Sequence, residues 1–158
     1  MKIINNLISK LVKNVLTGSE RTLIKEQVNI SGVSYYSSNI NKLAVSNKDY
    51  RSKPATIINN GDAGKKIYKY TYVNKPVKLE LEPTNPHDKN AIKILIAGEL
   101  VGYVAASDCN HIKDVLENHD VKYISAFIGG GDYKVVSPNG DVEKWSEHIH
   151  VSVRIAYV

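Results

Sequence analysis

From Ile149 to Tyr157 every second residue is apolar: Ile149, Val151, Val153, Ile155 and Tyr157 alternate with polar or small residues. A period of two marks a strand with one buried face, because successive side chains point to opposite sides of a sheet. The same rhythm recurs in shorter runs. Val28, Ile30 and Val33 open a strand that runs into Tyr35-Tyr36, and Val77, Leu79 and Leu81 alternate before Pro83. Lys66–Val73 reads as a strand with Tyr68, Tyr70 and Tyr72 on one face. Ala91–Ala97 and Leu100–Val104 form a hairpin about a turn at Gly98-Glu99, and further strands are expected at Val121–Ile128 and Tyr133–Val136. The glycines at 129–131 read as the turn between those two. A helix is predicted after Ser107 or Asp108 as cap, with Ile112, Val115 and Leu116 on its inner face, and a weaker one near Ile40, Leu43 and Ala44. Many short strands with so few helices predict a mainly β, antiparallel fold that closes into a small barrel or a sandwich.

The N-terminus keeps a different period. Ile3, Ile4, Leu7, Ile8, Leu11, Val12, Val15 and Leu16 fall at helical spacing, and Gly18 stops the run. Residues 1–26 are therefore expected to form an amphipathic helix and linker, and residues 27–158 the β domain. The helix face at residues 3–16 is open to three uses: packing on the domain, self-association or contact with a protein partner, or lying on a membrane surface. The lack of an aromatic anchor disfavours the last.

At 158 residues, with 42% hydrophobic and 23% charged, the chain has the composition of one compact domain with an appendage. No apolar run approaches the roughly 20 residues that cross a bilayer. Asn and Lys interrupt the N-terminal apolar residues, so no signal-peptide h-region is expected, and the single Cys109 can form no internal disulfide. The expected location is cytoplasmic.

Charge is unevenly distributed. Residues 1–30 carry +3, residues 31–75 carry +6 and residues 76–158 carry −4, and 18 of the 21 basic residues are lysine. A concentrated positive segment points to a polyanionic partner, met by hydrated point charges whose contacts are salt-sensitive.

Signals for catalysis are weak. A phosphate loop ending at Gly64-Lys65 needs glycine where Asn59 stands and Ser or Thr where Lys66 stands. The Gly129–Asp132 stretch precedes no helix, so it is no dinucleotide site. The five histidines and Cys109 lack zinc-ligand spacing, and no Gly-x-Ser-x-Gly occurs. No cofactor, metal or enzymatic activity is expected. Tyrosine supplies ten of the twelve aromatic residues. It pairs a stacking face with a polar tip and so suits a half-exposed platform for unpaired bases, although it is also a good strand former.

The most distinctive segment is Leu79-Glu80-Leu81-Glu82-Pro83-Thr84-Asn85-Pro86-His87-Asp88-Lys89-Asn90-Ala91-Ile92. Pro86 biases Asn85 toward an extended backbone, and Asp88 can accept hydrogen bonds within its own turn, which gives a stiff loop. With Gly98-Glu99-Leu100-Val101-Gly102-Tyr103-Val104 downstream and Ile30–Tyr36 upstream, this segment resembles the HIRAN domain over about residues 27–158. The resemblance implies an OB-like β-barrel and a nucleic-acid-binding role, with single-stranded DNA and its 3′ end as the target. It implies that Tyr35 stacks on a terminal base, that Asn85 and Asp88 flank the pocket with Asp88 accepting a hydrogen bond from a 3′-hydroxyl, and that Tyr36, His87 and Tyr103 belong to the same binding site. His87 stands where the family often has tyrosine, and Ala105-Ala106 where it often has a basic residue. The basic insertion at about 42–75 is expected to replace that anchor, with Lys65, Lys66 and Lys69 foremost among its phosphate contacts. The competing expectation is a protein-interaction adaptor without DNA contacts.

Overall fold

The computed structural model describes residues 21–158. The expected N-terminal helix, with its self-association face at residues 3–16, lies outside the described residues. Among those described, no helix is long and apolar enough to cross a membrane.

The fold is mainly antiparallel β. Strand β1 (Ile24–Val28) pairs with β10 (Val142–Tyr157), which pairs with β9 (Val121–Val136), and β9 pairs with the short β4 (Ile67–Tyr68). A second sheet runs β2 (Ile30–Ser31), β8 (Glu99–Val104), β7 (Ile92–Ile96) and β6 (Val77–Leu81). A third, of β3 (Val45–Ser46) and β5 (Tyr70–Thr71), lies within the insertion. The described strands therefore make three sheets rather than one closed hydrogen-bonded barrel.

Alternation explains the core. Val28, Leu79, Ile92, Ile94, Ile96, Val153 and Ile155 are the inward residues of their strands, and they meet in one buried cluster. Each such side chain contributes about 1.5–3 kcal/mol by leaving water. Helix α3 (Cys109–Asn118) adds Ile112 and Val115 to that cluster. The chain crosses between the two large sheets at Asn29, since Val28 pairs with Val153 and Ile30 with Val104. Asp108 holds the crossing, accepting from the Asn29 backbone at 3.2 Å and its side-chain amide at 2.8 Å. Asp108 stands at the N-cap of α3, yet its carboxylate bonds this distant residue instead of the helix.

Several expectations change at this level. The Tyr68–Tyr72 run is not one strand. It breaks at Lys69, because Tyr68 pairs with Tyr133 on β9 whereas Tyr70 pairs with Ser46 on β3. The hairpin turn falls one residue earlier, at Ala97-Gly98, where both residues adopt positive φ (49° and 82°) as a two-residue hairpin loop requires. The glycines at 129–131 make no turn but lie inside the 16-residue strand β9. Glu147 pairs with Gly131 and His150 with Gly129, so His148 and Ile149 oppose Gly130 alone. That is a bulge, and Gly130 and Gly131 supply its φ values of 92° and 90°. The strand from Val28 stops at Ser31, and the Tyr35-Tyr36 pair lies in a 3-10 turn, Val33–Tyr36, that leads into α1 (Ser37–Lys42).

The insertion folds onto the β9/β10 ribbon. A 3-10 turn (Lys48–Arg51) and α2 (Pro54–Asn59) cover a small second core of Ile57, Ile67 and Val136. Lys134 is buried there at 6% exposure, donates to the Ser52 carbonyl at 2.9 Å and lies 5.5 Å from the centre of the Tyr50 ring.

Candidate nucleic-acid interface

A cavity of about 460 Å³ opens between the Glu82–Ala91 loop, the end of β8 and the Val33–Tyr36 turn. Its aromatic side is Tyr36 and Tyr103, with ring centroids 6.1 Å apart and planes tilted by 48°. Tyr103 belongs to β8, in register with Lys93 of β7, which is in turn opposite Glu80 of β6. Because Leu79 points inward, Glu80 shares the outer face with Lys93 and Tyr103, and Glu82, the first residue past β6, keeps the same parity.

Glu82 organises the loop. Its Oε2 accepts from the Tyr103 hydroxyl at 3.0 Å and from the Asn85 side-chain amide at 2.8 Å. Those two bonds hold its carboxyl below the usual glutamate value. Burial, followed by the bond to Glu82, pushes the Tyr103 hydroxyl up, so it remains a protonated donor. The Asn85 side-chain Oδ1 accepts from the backbone N–H groups of His87 and Asp88 at 2.9 and 3.1 Å. This is the Asx-type turn that Asn-Pro-x-Asp favours. Asp88 Oδ1 accepts from the Asn90 N–H at 2.8 Å, and its other oxygen has no partner among the described residues. Cys109 lies buried in the lining, where burial pushes its thiol up and favours the neutral form.

Of the residues expected at the site, Tyr36, Asn85, His87, Asp88 and Tyr103 all line this cavity. Asn85 is committed to building the loop through both ends of its amide. Asp88 keeps an open acceptor. Tyr35 does not line the cavity. It projects from the turn at 87% exposure, because within a 3-10 turn neighbouring side chains diverge. Glu82 was not among the expected site residues. Its signal was its place just past the end of β6, in phase with the outward Glu80 and three residues before Asn85.

The expected lysines stand elsewhere. Lys65 pairs with Asp62 at 2.8 Å, Lys66 with Glu147 at 2.8 Å and Lys69 with Asp132 at 4.0 Å. Lys66 also lies 4.6 Å from the centre of the Tyr133 ring, and Tyr68 bonds Glu147. None of the three lysines lines the cavity, and no lysine or arginine is among its described lining residues. Lys48, Arg51 and Lys53, on the turn before α2, have no carboxylate partner among the described residues and are exposed. No cluster of three His, Cys, Asp or Glu side chains that could hold a metal occurs among the described residues.

No curated protein and no solved structure matches the chain. The HIRAN domain family model does, over residues 25–136, which takes in the crossing at Asn29, the whole Glu82–Ala91 loop, the 3-10 turn that carries Tyr36 and the strand that carries Tyr103 to it. HIRAN domains are nucleic-acid-binding modules, and by that match this chain belongs to the HIRAN domain family.

Proposed function

We propose that this HIRAN domain binds single-stranded DNA and seats the 3′-terminal nucleotide in the cavity between Tyr36, Tyr103 and the Asn85–Asp88 loop. The observation that carries the reading is the pairing of an aromatic wall with an open carboxylate oxygen at Asp88, in a hollow without lysine or arginine among its described lining. Aromatic faces hold a base of any identity. A carboxylate acceptor suits a hydroxyl donor and repels a terminal phosphate. The chain's role in this reading is binding rather than catalysis, and affinity for the rest of the strand comes from lysines outside the hollow.

Competition between oligonucleotides ending in a 3′-hydroxyl and a 3′-phosphate tests this reading. The hydroxyl form should bind better, and Asp88→Asn should erase most of the difference. Equal binding of the two ends by the wild type removes the end-seating reading. The adaptor alternative predicts neither end preference nor salt-sensitive DNA affinity, so the same titration separates the two.

A further inference from the structure

A second cavity, of about 440 Å³, lies on the other side of the Val33–Tyr36 turn. The turn divides the two hollows: Tyr36 faces the first, and Ser34 and Ser37 face the second. Tyr35 belongs to the turn that forms the ridge between them, lines neither hollow and is almost fully exposed. Across from the serines the second cavity is walled by Tyr70 and Tyr72 of the insertion and by the β9/β10 bulge. Part of that wall, Ser146–Ile149, lies beyond residue 136, where the family match ends.

Three features of this hollow fit a nucleoside. Tyr70 and Tyr72 offer aromatic surface. Ser34 and Ser37 offer hydroxyls, and the bulge brings Gly130, Gly131, His148 and Ile149 to the lining. The two acidic residues in its lining, Asp132 and Glu147, each hold a lysine of the insertion, Lys69 and Lys66. Their charge is thereby offset, and two ammonium groups are kept close to the cavity. The volume is close to that of the first hollow and falls in the range of small-ligand pockets.

We propose that the second cavity takes an adjacent nucleotide of the same single strand, with Tyr35 standing between the two bases on the ridge. This rests on the reading of the first cavity as the seat of the 3′-terminal nucleotide. The strand then runs from the Asn85–Asp88 loop over the 3-10 turn toward the insertion, which places the basic segment along the phosphates upstream of the end.

Competition binding with 3′-hydroxyl oligothymidylates of increasing length, from a mononucleotide upward, tests the proposal on the wild type, Ser37→Trp and Tyr70→Ala. Ser37 and Tyr70 are exposed, so both variants should melt like the wild type. Should Ser37→Trp melt early, Ser34→Trp fills the same hollow from the neighbouring turn. The wild type should gain about tenfold in affinity between one and three nucleotides, the worth of one stacked base. Ser37→Trp should abolish that gain and leave mononucleotide affinity unchanged, and Tyr70→Ala should reduce it several-fold. A gain that survives both substitutions, or a wild type that shows none, overturns the second site while the 3′-hydroxyl preference still reports on the first. Conversely, a gain sensitive to Ser37→Trp without any 3′-hydroxyl preference overturns the first-cavity reading and upholds the second cavity as a nucleotide site.

Discussion

The Tyr103 hydroxyl donates to Glu82 Oε2 at 3.0 Å, tying the middle of the second sheet to the loop that follows β6. The same oxygen accepts from Asn85, so one carboxylate orients both the aromatic wall and the turn that presents Asp88. Loop and ring are thus positioned as a unit, before any ligand arrives.

That unit depends on Glu82 being ionised. Its two donors, Asn85 first and then Tyr103, hold its carboxyl below the ordinary glutamate value of 4.5. A carboxyl depressed by folding stabilises the native state above its unfolded pKa, and that contribution is lost as pH falls below 4.5 through the lowered value. The melting temperature should therefore drop on acidification from about pH 5 to about pH 3. Glu80, Asp108 and Glu147 are depressed as well and act in the same direction. Glu82→Gln should remove only part of the acid sensitivity, which thermal melts across that range will measure.

Adjacent tyrosines should behave differently. Tyr36→Ala should weaken binding of a 3′-hydroxyl mononucleotide by about tenfold, the loss of one stacking face. Tyr35→Ala should leave mononucleotide affinity unchanged and weaken longer strands. Calorimetric titration of both variants with both ligands checks the split, and equal effects on the mononucleotide would assign Tyr35 to the first cavity after all.

Salt dependence should follow the turn before α2 more than the three lysines beside the acids. Lys65, Lys66 and Lys69 each have a carboxylate partner that competes with phosphate. Replacing Lys48, Arg51 and Lys53 with Glu should lower single-strand affinity and reduce the slope of log K against log salt by about 2, at about 0.7 per phosphate contact. The Lys65/Lys66/Lys69 triple should change the slope less. Fluorescence titrations at several salt concentrations compare the two.

Two glycines are fixed by close approach. A Cβ on Gly102 would come within 2.9 Å of the Ser31 carbonyl oxygen, where β8 passes β2. A methyl on Gly130 would run into the His148 carbonyl, and φ there is 92°. Gly102→Ala and Gly130→Ala should each destabilise by about 1–3 kcal/mol. Gly140→Ala has open space around its Cβ but a φ of 94°. It should cost less than Gly130→Ala in chemical denaturation, because it adds strain without a clash.

Local chemistry made much of this molecule readable in advance. The alternation at Val77–Leu81 and Ile149–Tyr157 needs only the pleat to sort apolar from polar, and the strands lie where it predicts. The Asn85-Pro86-His87-Asp88 run contains its own hydrogen-bond partners, so the loop and its outward carboxylate could be anticipated from neighbours in sequence. Less of the Tyr68–Tyr72 run was readable. Two strands of equal alternation cannot announce that they will pair with different sheets.

What the sequence by itself determined is the antiparallel β character, the stiff Glu82–Ala91 loop and the family it marks, which follow from alternation along each strand and from hydrogen bonds between neighbours within the loop. Tertiary structure alone decided that Tyr36 rather than Tyr35 faces the cavity, that the glycines at 129–131 make a bulge rather than a turn, and that Lys66 and Lys69 meet carboxylates. Each of those outcomes is set by a partner far away in sequence: Tyr103 for Tyr36, His148 and Ile149 for Gly130, Glu147 and Asp132 for the lysines. A side chain's local propensity carries no information about which distant strand will arrive beside it, and it is that arrival which selects among conformations of similar local energy.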